Sequence, residues 1–336
     1  MLNSTCRGST GSHFGQNVTS AIVKGCRAGS VGYGGGVAGE SHGGDALAVA
    51  AAMGLHVDDL VELSASLNPV FAPDDELLAR HLPALGRYPD ATVATEALAE
   101  AMDVDRRLLL LTNGGSEAIA LVARRLGRGE IVEPEFSLYR RHLNEVVDGA
   151  GRWRSNPSNP LGTLAADGEP AAVWDEAFYP LATGRWSRGD ADAWRLGSMT
   201  KLWSLPGLRL GYVIAPSSAG AVAAAADKPR WSVNGLALAL VPELLAQTDL
   251  SGWAAGVRLL RTQFVDALRA LGFVVHDTDV NWVLVEQPGL RDALLTHLIV
   301  VRDCTSFGLP GLSRVALPRL ADFDRVITAF AAVGAQ

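Results

Sequence analysis

Short apolar runs alternate with longer amphipathic stretches along this chain. The pattern is helical over residues 45–53 and extended over 60–67, ending at Asn68-Pro69. Asp74, Asp75 and Glu76 open the next helix, where carboxylates suit the positive end of the helix dipole. Strands are then predicted at 108–112, 130–133, 152–155, 171–174 and 210–215, with helices at 116–125 and 137–147 between them. This alternation predicts an α/β fold, a mostly parallel sheet with helices on both faces. Past Lys228-Pro229 the character shifts to a long amphipathic helix (252–271), strands at 273–276 and 282–285, a helix at 290–298, strands near Val300 and Arg314 and a closing helix. That reads as a smaller α+β domain packed on the sheet. The expected division is a flexible tail over 1–41, an N-terminal arm of the small domain over 42–72, a large domain over 73–230 and a C-terminal small domain over 231–336.

Composition narrows the function. Of 336 residues, 48% are apolar and 19% charged, which fits neither a disordered chain nor a charge-laced coiled coil. The net charge of -7 arises from 29 basic and 36 acidic residues without a basic stripe, so neither nucleic acid nor an anionic membrane is the expected partner. Cys6, Cys26 and Cys304 are too scattered for a disulfide framework or a zinc cluster, and no metal site is expected. Without a long apolar run or a secretory leader, the expected location is cytoplasmic.

Ligands in open α/β sheets sit at the carboxyl ends of the strands. Four polar clusters fall at such places. Thr112-Asn113-Gly114-Gly115-Ser116 runs from a strand into a helix, where bare N–H groups can seat an anion. Asn156-Pro157-Ser158-Asn159-Pro160 presents amide side chains from a rigid loop. Trp174-Asp175-Glu176-Ala177 runs an apolar stretch into two acids, and a buried acid needs a positive partner. Ser198-Met199-Thr200-Lys201 precedes Arg209, and a lysine among apolar neighbours loses its proton readily and becomes a nucleophile toward carbonyls. Taken alone, the Asn-Pro loop reads equally well as a structural turn, while the other three read better as a plain turn, a cap or salt bridge, and a snorkelling surface lysine.

Together and in this order they resemble the pyridoxal-phosphate enzymes of the aspartate aminotransferase type, fold type I. The resemblance implies that pyridoxal 5'-phosphate is the cofactor, that Lys201 holds it as an imine and moves protons, and that Asp175 keeps its ring nitrogen protonated. It places the cofactor phosphate on Gly115, Ser116, Ser198, Thr200 and Arg209, the ring hydroxyl on Asn159, and the ring between Phe136 and Ala177.

Further strings resemble the threonine-phosphate decarboxylases of cobalamin biosynthesis and their relatives, the histidinol-phosphate aminotransferases. These are His42-Gly43-Gly44, Ser64-Ala65-Ser66-Leu67-Asn68-Pro69, Arg87-Tyr88-Pro89-Asp90 and Phe136-Ser137-Leu138-Tyr139-Arg140-Arg141. The His-Gly-Gly opening and Phe178 favour the decarboxylase side. The resemblance implies an obligate homodimer in which Tyr88 reaches the neighbouring cofactor phosphate. It also implies a substrate carboxylate on Arg314, a substrate phosphate on Arg302 and His42 closing over the site. A non-catalytic cofactor-binding protein is the remaining alternative. Relatives of this kind usually fit an additional helix and strand between Phe136 and Asn156, so the resemblance implies that this chain has lost one βα unit from the large domain.

Overall fold

The computed structural model describes residues 43–334. The expected tail over 1–41, and His42 with it, lie outside the described residues. Thirteen strands occur among them: β1 (Val61–Glu62), β2 (Leu109–Asn113), β3 (Arg128–Ile131), β4 (Glu145–Val146), β5 (Arg152–Ser155), β6 (Val173–Asp175), β7 (Trp194–Ser198), β8 (Leu210–Ile214), β9 (Val274–His276), β10 (Trp282–Glu286), β11 (Ile299–Val300), β12 (Arg302–Asp303) and β13 (Leu312–Ala316).

Seven of them form one sheet in the order β2-β8-β7-β6-β5-β3-β4. The pairs from β7 to β4 are parallel, whereas β8 runs antiparallel to both β2 and β7. The sheet is buried on both faces, as parallel sheets are. Leu109, Leu111, Tyr212 and Ile214 pack on one side against the helices Thr92–Met102 and Gly235–Ala246. Trp153, Val173, Leu196 and Val213 pack on the other against Ile119, Val122 and Ala123 of the helix Gly114–Leu126. Alternate residues of each strand thus feed opposite cores.

A second, antiparallel sheet has the order β12-β13-β10-β9, and β1 pairs with β11 in a two-stranded parallel ribbon. The long helix Leu250–Ala270 covers these strands through Val257, Leu260, Phe264 and Leu268, together with the closing helix Phe323–Gly334.

The sequence expectation is corrected at the sheet edge. Between Phe136 and Asn156 lie the helix Leu138–His142 and the two-residue β4, and no helix separates β4 from β5. Residues 147–151, all described, join β4 to β5 without one. The link can be this short because β4 pairs with the first half of β3 and β5 with the second half. Gly149 and Gly151, at φ 76° and 96°, turn the chain between them. The helix predicted over 137–147 accordingly spans only Leu138–His142.

Candidate active site

The parallel strands β2, β5, β6 and β7 end at Asn113, Ser155, Asp175 and Ser198, beside one another across the sheet. A cavity of 530 Å³ opens there, lined by Gly115, Ser116, Phe136, Asn159, Asp175, Ala177, Ser198, Thr200, Lys201, Arg209, Arg302 and Arg314. Every cofactor and substrate candidate among the described residues is on that wall except Tyr88. Tyr88 is 81% exposed, stacks on Trp231 with ring centroids 4.7 Å apart and borders a separate hollow.

At one end of the cavity the helix Gly114–Leu126 starts directly after β2, with Gly114 at φ 74°. Its first turn is packed tightly from behind. A side chain on Gly211 of β8 would lie 2.5 Å from the Gly114 carbonyl carbon, and one on Gly114 would meet the Arg209 guanidinium. Arg209 itself sits in the left-handed region at φ 54° and donates to the Pro206 carbonyl. The start of this helix, the hydroxyl-bearing Ser116, Ser198 and Thr200, and Arg209 thus line the same cavity, and these are residue types that suit an oxyanion. Thr200 Oγ1 is buried without a hydrogen-bond partner among the described residues.

Lys201 rises from the short helix Met199–Leu202, donates from Nζ to the Ala65 carbonyl at 2.7 Å and stands 5.8 Å from the Phe178 ring centroid. Burial, with Arg314 and Arg209 nearby, lowers its pKa to about 8. Asp175 on the opposite wall accepts from Tyr139 Oη at 2.8 Å and from the Ala177 N–H at 3.1 Å. Burial raises its pKa, against the pull of these bonds and of Lys201. An acid so placed gains from any cation brought to it.

The far wall comes from the antiparallel sheet. Arg302 and Arg314 are direct cross-strand partners on β12 and β13, only 4% and 5% exposed. Arg314 donates to Asn159 Oδ1 at 2.6 Å and to the Ser64 carbonyl at 2.8 Å, and burial lowers its pKa to about 10. Arg302 donates to Ser306 Oγ at 2.7 Å and lies over the Phe307 ring. Asn159 also donates its backbone N–H to Ser155 Oγ at 2.8 Å, which aims its side chain into the cavity.

Sequence reading missed several site groups. The Ala65 carbonyl and Phe307 carry no signature of their own. Tyr139 was findable, since it follows Phe136 by three residues, the spacing of one helix face.

The family model for class I and II aminotransferases matches residues 153–330, more than half of the chain. The chain belongs to the class I and II aminotransferases. This family is pyridoxal-phosphate-dependent, and the chain is an enzyme of that kind. It is 29% identical to a threonine-phosphate decarboxylase of Salmonella typhimurium across 86% of this chain and 95% of the relative. It is 26% identical to a histidinol-phosphate aminotransferase of Haloarcula marismortui across 83% of this chain and 91% of the relative. The histidinol-phosphate aminotransferase of Sinorhizobium meliloti, solved with pyridoxal-5'-phosphate, superposes with a TM-score of 0.72 at 16% identity, over 86% of this chain and 94% of that one. The fold of this class I/II aminotransferase relative is thus fold type I, as the sequence resemblance implied. Among its described residues no helix is long and apolar enough to cross a membrane.

Proposed function

We propose that this enzyme is a pyridoxal-phosphate-dependent decarboxylase of a small phosphorylated amino acid, of the threonine-phosphate type. The observation that carries this reading is the pair Arg302 and Arg314. The two guanidinium groups are register partners, both are buried and both line the one cavity, so together they can receive two oxyanions of a single ligand. Cross-strand partners stand roughly 5 Å apart. A compact substrate with a carboxylate and a phosphate a few atoms apart meets both arginines. Histidinol phosphate, the phosphate ester of an amino alcohol, has no carboxylate to offer the second one.

The residues fit the cofactor. The oxyanion seat, with the unpartnered Thr200 hydroxyl, suits its phosphate, Asp175 its ring cation, and Phe136 and Ala177 the two ring faces. When bound, pyridoxal phosphate supplies an electron sink for a bond at the substrate α-carbon. Lys201 would hold it covalently through Nζ and, once released, carry a proton at that atom. Asn159 would donate from Nδ2 to the ring hydroxyl while Arg314 occupies its Oδ1. Arg314 and Arg302 would orient the substrate, and the orientation they impose would decide which bond at the α-carbon the cofactor's electron sink acts on. Tyr88, being exposed, would complete the seat of a second copy in a homodimer.

Incubating the loaded protein with O-phosphothreonine should release carbon dioxide without an oxo-acid acceptor. Glutamate formed from 2-oxoglutarate and histidinol phosphate, with no carbon dioxide from O-phosphothreonine, would establish the aminotransferase reading instead. That reading has the Haloarcula relative in its favour.

A further inference from the structure

Behind the cavity lining, next to Phe136 in the chain and bonded to Ser155, lies a second acid that the proposed chemistry does not use. Glu135 is 5% exposed. Its carboxyl accepts the Ser155 N–H at 3.2 Å and makes a short contact with Ser155 Oγ. Ser155 is the register partner of Asp175 across β5 and β6, and Tyr139 donates its hydroxyl to Asp175. The Ser155 and Tyr139 hydroxyls thus stand between Glu135 and Asp175, two carboxyls that burial pushes toward the neutral form.

The charges around Glu135 are already engaged. Arg154, the cation beside it, donates to Glu169 and to the Ser155 carbonyl. Lys201 lines the same cavity as Asp175 and favours its anionic form, whereas the groups bonded to the Glu135 carboxyl are the N–H and hydroxyl of Ser155. Neighbouring buried acids cannot both ionise cheaply.

We propose that Glu135 is a positioning residue that keeps Asp175 anionic, by holding the one proton the two acids share and by orienting the intervening hydroxyls toward Asp175. The hydrogen bonds close in that arrangement. Glu135 O–H donates to Ser155 Oγ, Ser155 O–H to Tyr139 Oη, and Tyr139 O–H to Asp175 Oδ2. Ser155 Oγ has a second lone pair for the Asn159 N–H, and the Glu135 carbonyl oxygen takes the Ser155 N–H. One acid thus acts on two cofactor contacts, Asp175 and Asn159. Burial agrees, pushing Glu135 up to about 8.

The inference rests on the proposed cofactor only for its purpose; the proton is tested without it. Infrared spectra of the cofactor-free protein at neutral pH should show the carbonyl stretch of a neutral carboxylic acid. The Glu135 band should fade as pH rises through about 8 and be lost in Glu135→Gln. Glu176, also buried and raised to about 7, adds a band of its own, so Glu135 is read from the spectrum of wild type minus Glu135→Gln; a difference without the neutral-acid band overturns the proposal. In the loaded protein, Glu135→Gln keeps a donor toward Ser155 and should bind pyridoxal phosphate within about threefold of wild type. Glu135→Ala should bind it about tenfold more weakly. Equal losses in both variants would mean that an ionised Glu135 is needed, against the proposal. If the wild type takes up no pyridoxal phosphate, the proposed function fails while the infrared band still decides the state of Glu135.

Discussion

Lys201 is a buried amine between two guanidinium groups, so its neutral form is within reach of physiological pH. Its pKa is lowered from 10.5 to about 8. The nucleophilic fraction therefore grows as pH rises and levels off above that value. Capture of pyridoxal phosphate by cofactor-free protein, followed by the change in visible absorption, should slow about tenfold per pH unit below it. A profile flat across that range would show that loss of the ammonium proton does not limit capture. Lys201 and Asp175 were both legible as residues because each stands among small and apolar neighbours in an ordered series. Glu135 was not. A glutamate beside Pro134 reads as loop surface, and only the strand end at Ser155 turns that loop inward.

Among the elements, β8 has a role its apolar sequence hides. It is the antiparallel strand that backs the first turn of the helix Gly114–Leu126. Gly211→Ala would place a methyl 2.5 Å from the Gly114 carbonyl carbon and 2.7 Å from the Gly115 nitrogen. That displaces the N–H groups of the oxyanion seat. Pyridoxal phosphate affinity should fall about tenfold or more, with stability down by about 1–3 kcal/mol. Gly207→Ala, whose added methyl meets nothing within 4 Å, is the control for equilibrium binding and thermal melting. Equal affinity in the two variants would separate β8 from the seat.

Legibility varied by element for physical reasons. β7 was missed because Trp194 and Arg195 break the look of a strand, though burial between β6 and β8 makes it one. The helix Gly235–Ala246 was missed because it is apolar nearly all round and contains Pro242, so no face stands out. The helix predicted over 137–147 was too long because Val146 and Val147 follow in helical phase, while Gly129 on β3 draws both into the sheet edge.

At the scale of the molecule, the exposed Tyr88-Trp231 pair lies apart from the cavity its own chain builds. A tyrosine that serves a neighbouring subunit makes a specific arithmetic possible. Tyr88→Ala and Lys201→Ala should each be inactive or nearly so. A refolded mixture of the two should regain activity, because a hybrid dimer pairs an intact Lys201 with an intact Tyr88 from opposite chains. Mixtures no better than their parents would remove Tyr88 from the reaction.

The helixless link over 147–151 carries a different consequence. It is largely exposed, with Val147 40% accessible, and it joins strands at the sheet border, whereas the reacting groups hang from strand ends nearer the middle. Here the scaffold has a seam. A reporter peptide or a whole guest domain spliced into those five positions should leave turnover intact, making this a place to tether, label or split the protein without touching its chemistry.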